Sequence, residues 1–190
     1  MISNPYRTVA RQGDVTCNIG HIYLNSKDET DKVTPETKQL LIDWINDEYS
    51  LMKENHPNLD INYTSITEEP SLSMLDDVFT HESRSLDVFN GGTSSPLFSY
   101  HVNVRFRAVH DWHHWIARAE FDFTGEMKAF KLAVESIKLF CEMYEASEET
   151  IAQAVSVLYS EIVLQVAAHN LLGDYPKDQK IVLCAIGGYL

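Results

Sequence analysis

Between residues 97 and 173 apolar side chains recur every three or four positions, broken only at short polar turns. A period near 3.6 does not fit a strand, whose side chains alternate with period two, so this stretch is restricted to helices with one buried face. The spacing predicts three helices. The first covers roughly 97–119 (LFSYHVNVRFRAVHDWHHWIARA). The second covers about 124–145, opened by Thr124, with Met127, Phe130, Val134, Ile137, Cys141 and Tyr144 on its apolar side. The third starts at Ser147, an N-cap residue whose followers Glu148 and Glu149 suit the positive end of a helix dipole, and stops at Gly173.

The preceding half is less regular. Residues 1–32 read as mixed and turn-rich, with a short extended piece at Asn18–Leu24. Thr34-Pro35-Glu36 marks a helix start, with Thr as N-cap and Pro at the first helical position. Leu40, Leu41, Trp44, Ile45, Tyr49 and Met52 continue it with helical spacing until His56-Pro57. Ile61–Ile66 has the β-branched and aromatic content of a strand, Ser71–Thr80 that of a short helix, and Leu86–Phe89 is a short apolar run. The glycine pair in FNGGTSSP (89–96) separates the halves, and the tail DYPKDQKIVLCAIGGYL is expected to add a short strand or helix. The expectation is one domain over 1–190, mainly α (α+β). An acidic, mixed α/β part over 1–90 carries one long helix and a few short strands; a three-helix, bundle-like unit spans 97–175.

Charge sharpens that division. The chain has 28 acidic and 15 basic side chains, a net −13 with neutral histidines. Residues 26–90 alone hold 15 acids and 5 bases. Residues 98–118 hold one acid, Asp111, against Arg105, Arg107 and Arg118. So acidic a surface repels phosphate over most of its area, which excludes generic binding to a nucleic-acid backbone. The three cysteines, Cys17, Cys141 and Cys184, are scattered and form neither a disulfide framework nor a thiolate zinc motif. With no apolar signal core and no run of about 18 apolar residues, the expectation is a soluble, cytoplasmic protein without a membrane anchor.

The net-positive island coincides with a histidine cluster. His110 and His114 lie four apart, hence on one helix face, where two imidazoles can close on one ion. The intervening glutamate of a zinc-protease helix is missing. Glu126 sits on the apolar ridge Glu126–Phe130–Ala133–Ile137, and Glu161 on the ridge Leu158–Glu161–Gln165–His169. A carboxylate on a buried face is costly unless paired or bound to a metal. His110, His114, Glu126 and Glu161 are therefore the expected ligands of one divalent ion (Zn, Mn, Fe or Ni). Asp111 and Gln165 are candidates for orienting a bound water, and Arg107 (or Arg105) for holding an anionic group. The plainer alternatives are a chance pair of histidines, a first-turn Glu126 favoured by the helix dipole, and arginines paired with local acids.

The stretches Arg107–His114, Gly125–Ala129, Glu161–Gln165 and Pro176–Lys180, in this order, resemble an uncharacterised group of phage and mobile-element proteins. The resemblance covers roughly the C-terminal half. It implies a phage-type origin and a His/Glu cluster that belongs together, and it names no reaction. A weaker likeness is to HD-domain phosphohydrolases, whose ordered His…His-Asp…Asp set would fall on His81, His110-Asp111 and Asp174.

Three functions follow as expectations. The first is a metal-dependent hydrolase acting on a small phosphorylated molecule, a nucleotide or a nucleic-acid end. The second is an acidic, non-enzymatic inhibitor that presents carboxylates like DNA phosphates to a host protein. The third is a virion-associated structural protein.

Overall fold

The computed structural model describes residues 14–64, 70–81, 85–89, 95–173, 175–176 and 179–185. It is mainly helical, with one small parallel strand pair among the described residues. The long expected helix is α2 (Pro35–Asn55). The Thr34 side chain caps it by accepting from Thr37 N at 3.1 Å, and His56 closes it. Strand β1 (Asp60–Thr64), helix α3 (Leu72–Thr80) and strand β2 (Ser85–Phe89) form a crossover unit, which is why the two strands run parallel. Residues 65 and 66 of the expected strand lie outside the described residues. Ser71 caps α3 by accepting from Met74 N.

The first expected C-terminal helix is shorter than its periodicity suggests. It runs Tyr100–Ile116 (α4), because the Ser95 hydroxyl accepts from Leu97 N and Phe98 N and holds a turn there instead. Helix α5 (Phe123–Met143) is opened by Asp122 rather than Thr124, with Asp122 Oδ1 accepting from Gly125 N at 2.8 Å. The third begins behind its Ser147 cap as α6 (Glu148–Tyr159). It passes through a π-turn at Ser160–Leu164 and ends as α7 (Gln165–Leu172) at Gly173, whose φ of 76° only glycine adopts cheaply. This continuous Glu148–Leu172 helix is long and apolar enough to cross a membrane, yet 67% of its most apolar window is buried in the fold.

Two expectations fail at the chain ends. Asn18–Leu24 is not extended but belongs to helix α1 (Asp14–Asn25). Thr16, Gly20 and Tyr23 form its buried stripe, packed on α7 and the π-turn, and that burial decides the conformation. The tail forms neither strand nor helix over 179–185. Its backbone bonds go to side chains instead: Ile181 N to Asp28, Val182 N to Ser160, Leu183 N to Glu29 and Cys184 N to Ser156.

The acidic half and the helical half share a core. Leu41, Trp44 and Ile45 of α2 pack with Phe130 and Ile137 of α5 and Leu158 of α6. A second cluster joins Met52, Leu75, Phe79, Leu86 and Val88 to Ala108 and Trp112 of α4. Helix α4 thus lies between both clusters, its remaining face turned to α5. The α1–α7 contact is tight: a Cβ on Gly20 would lie 2.5 Å from the Ala167 carbonyl oxygen and 2.6 Å from Leu171 Cδ1. Gly20→Ala gains about 1 kcal/mol of helix propensity but overpacks this seam at a cost of about 1–3 kcal/mol. A net loss of about 1 kcal/mol is expected, read as a melting temperature a few degrees lower.

Candidate metal centre

His110 and His114 stand one above the other on α4, as their spacing requires, and Glu126 reaches them from the first turn of α5. His110 Nε2 and His114 Nε2 are 3.1 Å apart; Glu126 Oε2 lies 3.1 Å from the first and 3.4 Å from the second. Metal–nitrogen and metal–oxygen bonds of about 2.0–2.1 Å give tetrahedral edges of about 3.3 Å. The three atoms therefore already occupy one face of a coordination polyhedron. Glu126 Oε2 is buried and faces the two imidazole nitrogens, and His110 Nδ1 is buried without a hydrogen-bond partner among the described residues. His110, His114 and Glu126 thus form a cluster able to hold a metal ion.

The surroundings fix these ligands. His114 Nδ1 donates to the Ala119 carbonyl at 3.2 Å, which leaves the Nε2 lone pair facing the cluster. The Phe121 ring stacks on His114 at 4.1 Å. The loop between α4 and α5 supplies both groups and then leads straight into Glu126. It is compressed: a Cβ on Gly125 would fall 1.7 Å from the Glu120 carbonyl oxygen. The side chains of His114 and Glu126 are 0% and 5% exposed, and that of His110, at 18%, is the most exposed of the three.

Electrostatics agree with a cation site. Burial works against ionised Glu126, but His110 and His114 outweigh it and hold the carboxyl at about 2. Burial keeps His110 below its ordinary value against the pull of Glu126. For His114 burial acts the same way, yet Glu126 and the Ala119 carbonyl prevail and raise it. An ionised carboxylate thus faces two imidazoles that burial and Glu126 pull in opposite directions. Burial pushes the neighbouring Asp111 up to about 7, with His114 and Arg107 pulling the other way and Glu126 adding to the rise.

Not every expected residue joins this group. The expected fourth ligand, Glu161, lies on the π-turn, where Oε1 accepts from Ser95 Oγ at 3.0 Å and Oε2 from Gln165 Nε2 at 2.7 Å. Both oxygens are engaged, and Glu161 is outside the three-residue cluster. Gln165 accordingly orients Glu161. Arg107, one turn before Asp111 on α4, donates to the Phe89 carbonyl at 2.6 Å and lies in the electrostatic field of Asp111, Glu161 and Tyr175. Arg105 points elsewhere, to Asn46 and over the Tyr49 ring. His81 bonds back to Asp77 O in α3, and Asp174 of the HD-type set lies outside the described residues.

Sequence reasoning missed a second buried polar group on the other side of α4. His113 Nε2 lies 2.9 Å from Glu48 Oε2, and Ser136 donates to Glu48 Oε1 while accepting from Trp44 Nε1 at 3.0 Å. The signal was available: Glu48 follows Leu41, Trp44 and Ile45 on the buried stripe of α2, as Glu126 does on α5.

Fold and site together define a mainly helical protein with a buried two-histidine, one-carboxylate cluster. Comparison with protein-family models, with curated proteins and with solved structures gives no match.

Proposed function

We propose that this chain is a metal-dependent hydrolase acting on phosphoryl-containing substrates, with His110, His114 and Glu126 holding one divalent ion. The observation that carries the reading is the buried triangle formed by His110 Nε2, His114 Nε2 and Glu126 Oε2, with edges of 3.1–3.4 Å. Three protein ligands leave coordination positions for water and substrate, the arrangement of catalytic rather than structural sites. A divalent ion held by His110, His114 and Glu126 would supply Lewis acidity, making water more acidic and a phosphoryl group more electrophilic.

The chain's own residues do the rest. Asp111 follows His110 on α4 and takes the proton of the attacking water, returning it to the leaving oxygen. Arg107 steadies the anionic group. Glu161, fixed by Ser95 and Gln165, keeps Arg107 oriented. The solvent-facing edge of His110 is the entry side.

Elemental analysis of untagged protein tests this first, with one Zn, Mn, Fe or Ni per chain expected. Reconstituted protein should then cleave p-nitrophenyl phosphate or its diester. Asp111→Asn should lower kcat by about 10²–10⁴ while leaving metal content intact. Protein that takes up no ion overturns the reading.

A further inference from the structure

The loop that presents His114 and Glu126 is closed at its first bend by backbone bonds, Arg118 N to Trp115 O at 3.2 Å and Ala119 N to His114 O at 2.9 Å, and it is also tied from outside. Arg118, at its first bend, has φ 50°, a left-handed conformation that a residue with a Cβ adopts only under constraint. A side-chain tie to the same bend comes from α3, in the other half of the chain. Asp76 receives both terminal nitrogens of Arg118 as a bidentate pair, with Nη2 to Oδ2 at 2.7 Å. Asp76 Oδ1 also accepts from Trp115 Nε1 at 3.0 Å, which ties the last turn of α4 to the same carboxylate. At the N-terminal end of α3, the Leu72 amide donates to Glu120 Oε2 at 3.4 Å. The same loop delivers the Ala119 carbonyl to His114 Nδ1 and, one residue past Glu120, the Phe121 ring to the His114 face. Glu120 in turn presses against Gly125, the residue before Glu126.

From this we infer that α3 is a brace for the metal centre and that Asp76 is a positioning residue for His114 and Glu126. The inference rests on the metal reading above. Asp76 touches none of the three ligands. It acts by holding Arg118 in its bend, which keeps the two helix ends at the separation the ligand triangle needs. Groups that orient a metal ligand typically contribute 10–100-fold to metal affinity.

The experiment is a cobalt titration of metal-free protein, followed by the visible absorption of the bound ion. Wild type, Asp76→Asn, Arg118→Gly and the double variant are compared. Asp76→Asn is expected to bind Co²⁺ about tenfold more weakly, with an altered absorption band, at nearly unchanged melting temperature of the metal-free form. Glycine tolerates φ 50° without a clamp, so Asp76→Asn in the Arg118→Gly background should cost clearly less than it does alone. Wild-type affinity and spectrum in Asp76→Asn would overturn the brace and leave the metal centre standing. A drop in metal-free melting temperature that accounts for the whole affinity loss would also overturn it, because the role would then be general stability. Failure of the wild type itself to bind Co²⁺ would overturn the metal reading and the brace with it.

Discussion

Metal-free protein should melt about 5–10 °C higher when a divalent ion is present at a hundredfold excess over its dissociation constant, and His114→Ala should cancel the rise. A ligand that binds only the folded state at that excess stabilises it by about 2.7 kcal/mol. For a chain of this size each kcal/mol moves the midpoint by about 2–4 °C. The ligand atoms of His110, His114 and Glu126 are 3.1–3.4 Å apart before any ion enters, so little of this gain is spent on rearrangement. His114→Ala also removes the ring against Phe121, so the quantity to read is the difference with and without metal. Glu126→Gln provides the companion variant: it keeps the volume and removes the charge. A chain of net −13 has many weak surface sites for cations. An equal rise in wild type, His114→Ala and Glu126→Gln would place the ions there and remove the centre.

The second large effect is expected away from the centre, at Glu48. Removing this side chain with Glu48→Ala leaves His113 and Ser136 buried without their partner. Breaking a buried pair from one side costs about 3–5 kcal/mol, which should lower the melting temperature by about 10 °C. The same group sets a dependence on pH. Burial alone would raise the Glu48 carboxyl, but the bonds from His113 and Ser136 outweigh it and hold it below its ordinary 4.5. A carboxyl depressed in the folded state is proton-free there and more readily protonated in the unfolded chain. Its contribution is complete above about pH 4.5 and is lost as pH falls through the folded value. Denaturant titrations between pH 3 and 6 should show this loss in wild type and a flatter profile in Glu48→Gln. Matching profiles would mean that Glu48 is not ionised in the fold.

Much of the architecture was legible from local signals. Thr34, Ser71 and Ser147 mark helix starts because a short side-chain oxygen can take an orphan amide, and each one does so in the structure. Gly173 ends the last helix because the bend there needs a positive φ. His110 and His114 meet because four residues make roughly one helical turn. Glu126 was marked by standing on an apolar ridge, a local contradiction that only a partner resolves. The same reasoning applied to Glu48 would have found His113's partner, and the Thr16–Gly20–Tyr23 spacing would have found α1.

Other features had no local signature. Glu161 and Glu126 look alike in the sequence, each a carboxylate beside an apolar stripe, yet one is held by Ser95 and Gln165 and the other faces two imidazoles. What separates them is which helix packs opposite, and that is fixed by contacts between residues dozens of positions apart. The pair from Asp76 to Arg118 spans 42 positions, and the positive φ of Arg118 falls on a residue type that gives no hint of it. The sequence by itself determined α2, α3 and the long last helix, the caps at Thr34, Ser147 and Gly173, and the histidine pair on one face of α4, because those depend on neighbours within one turn. Only the tertiary structure decided which carboxylate completes the cluster and what holds it there, because burial and distance through space are set by the whole chain at once.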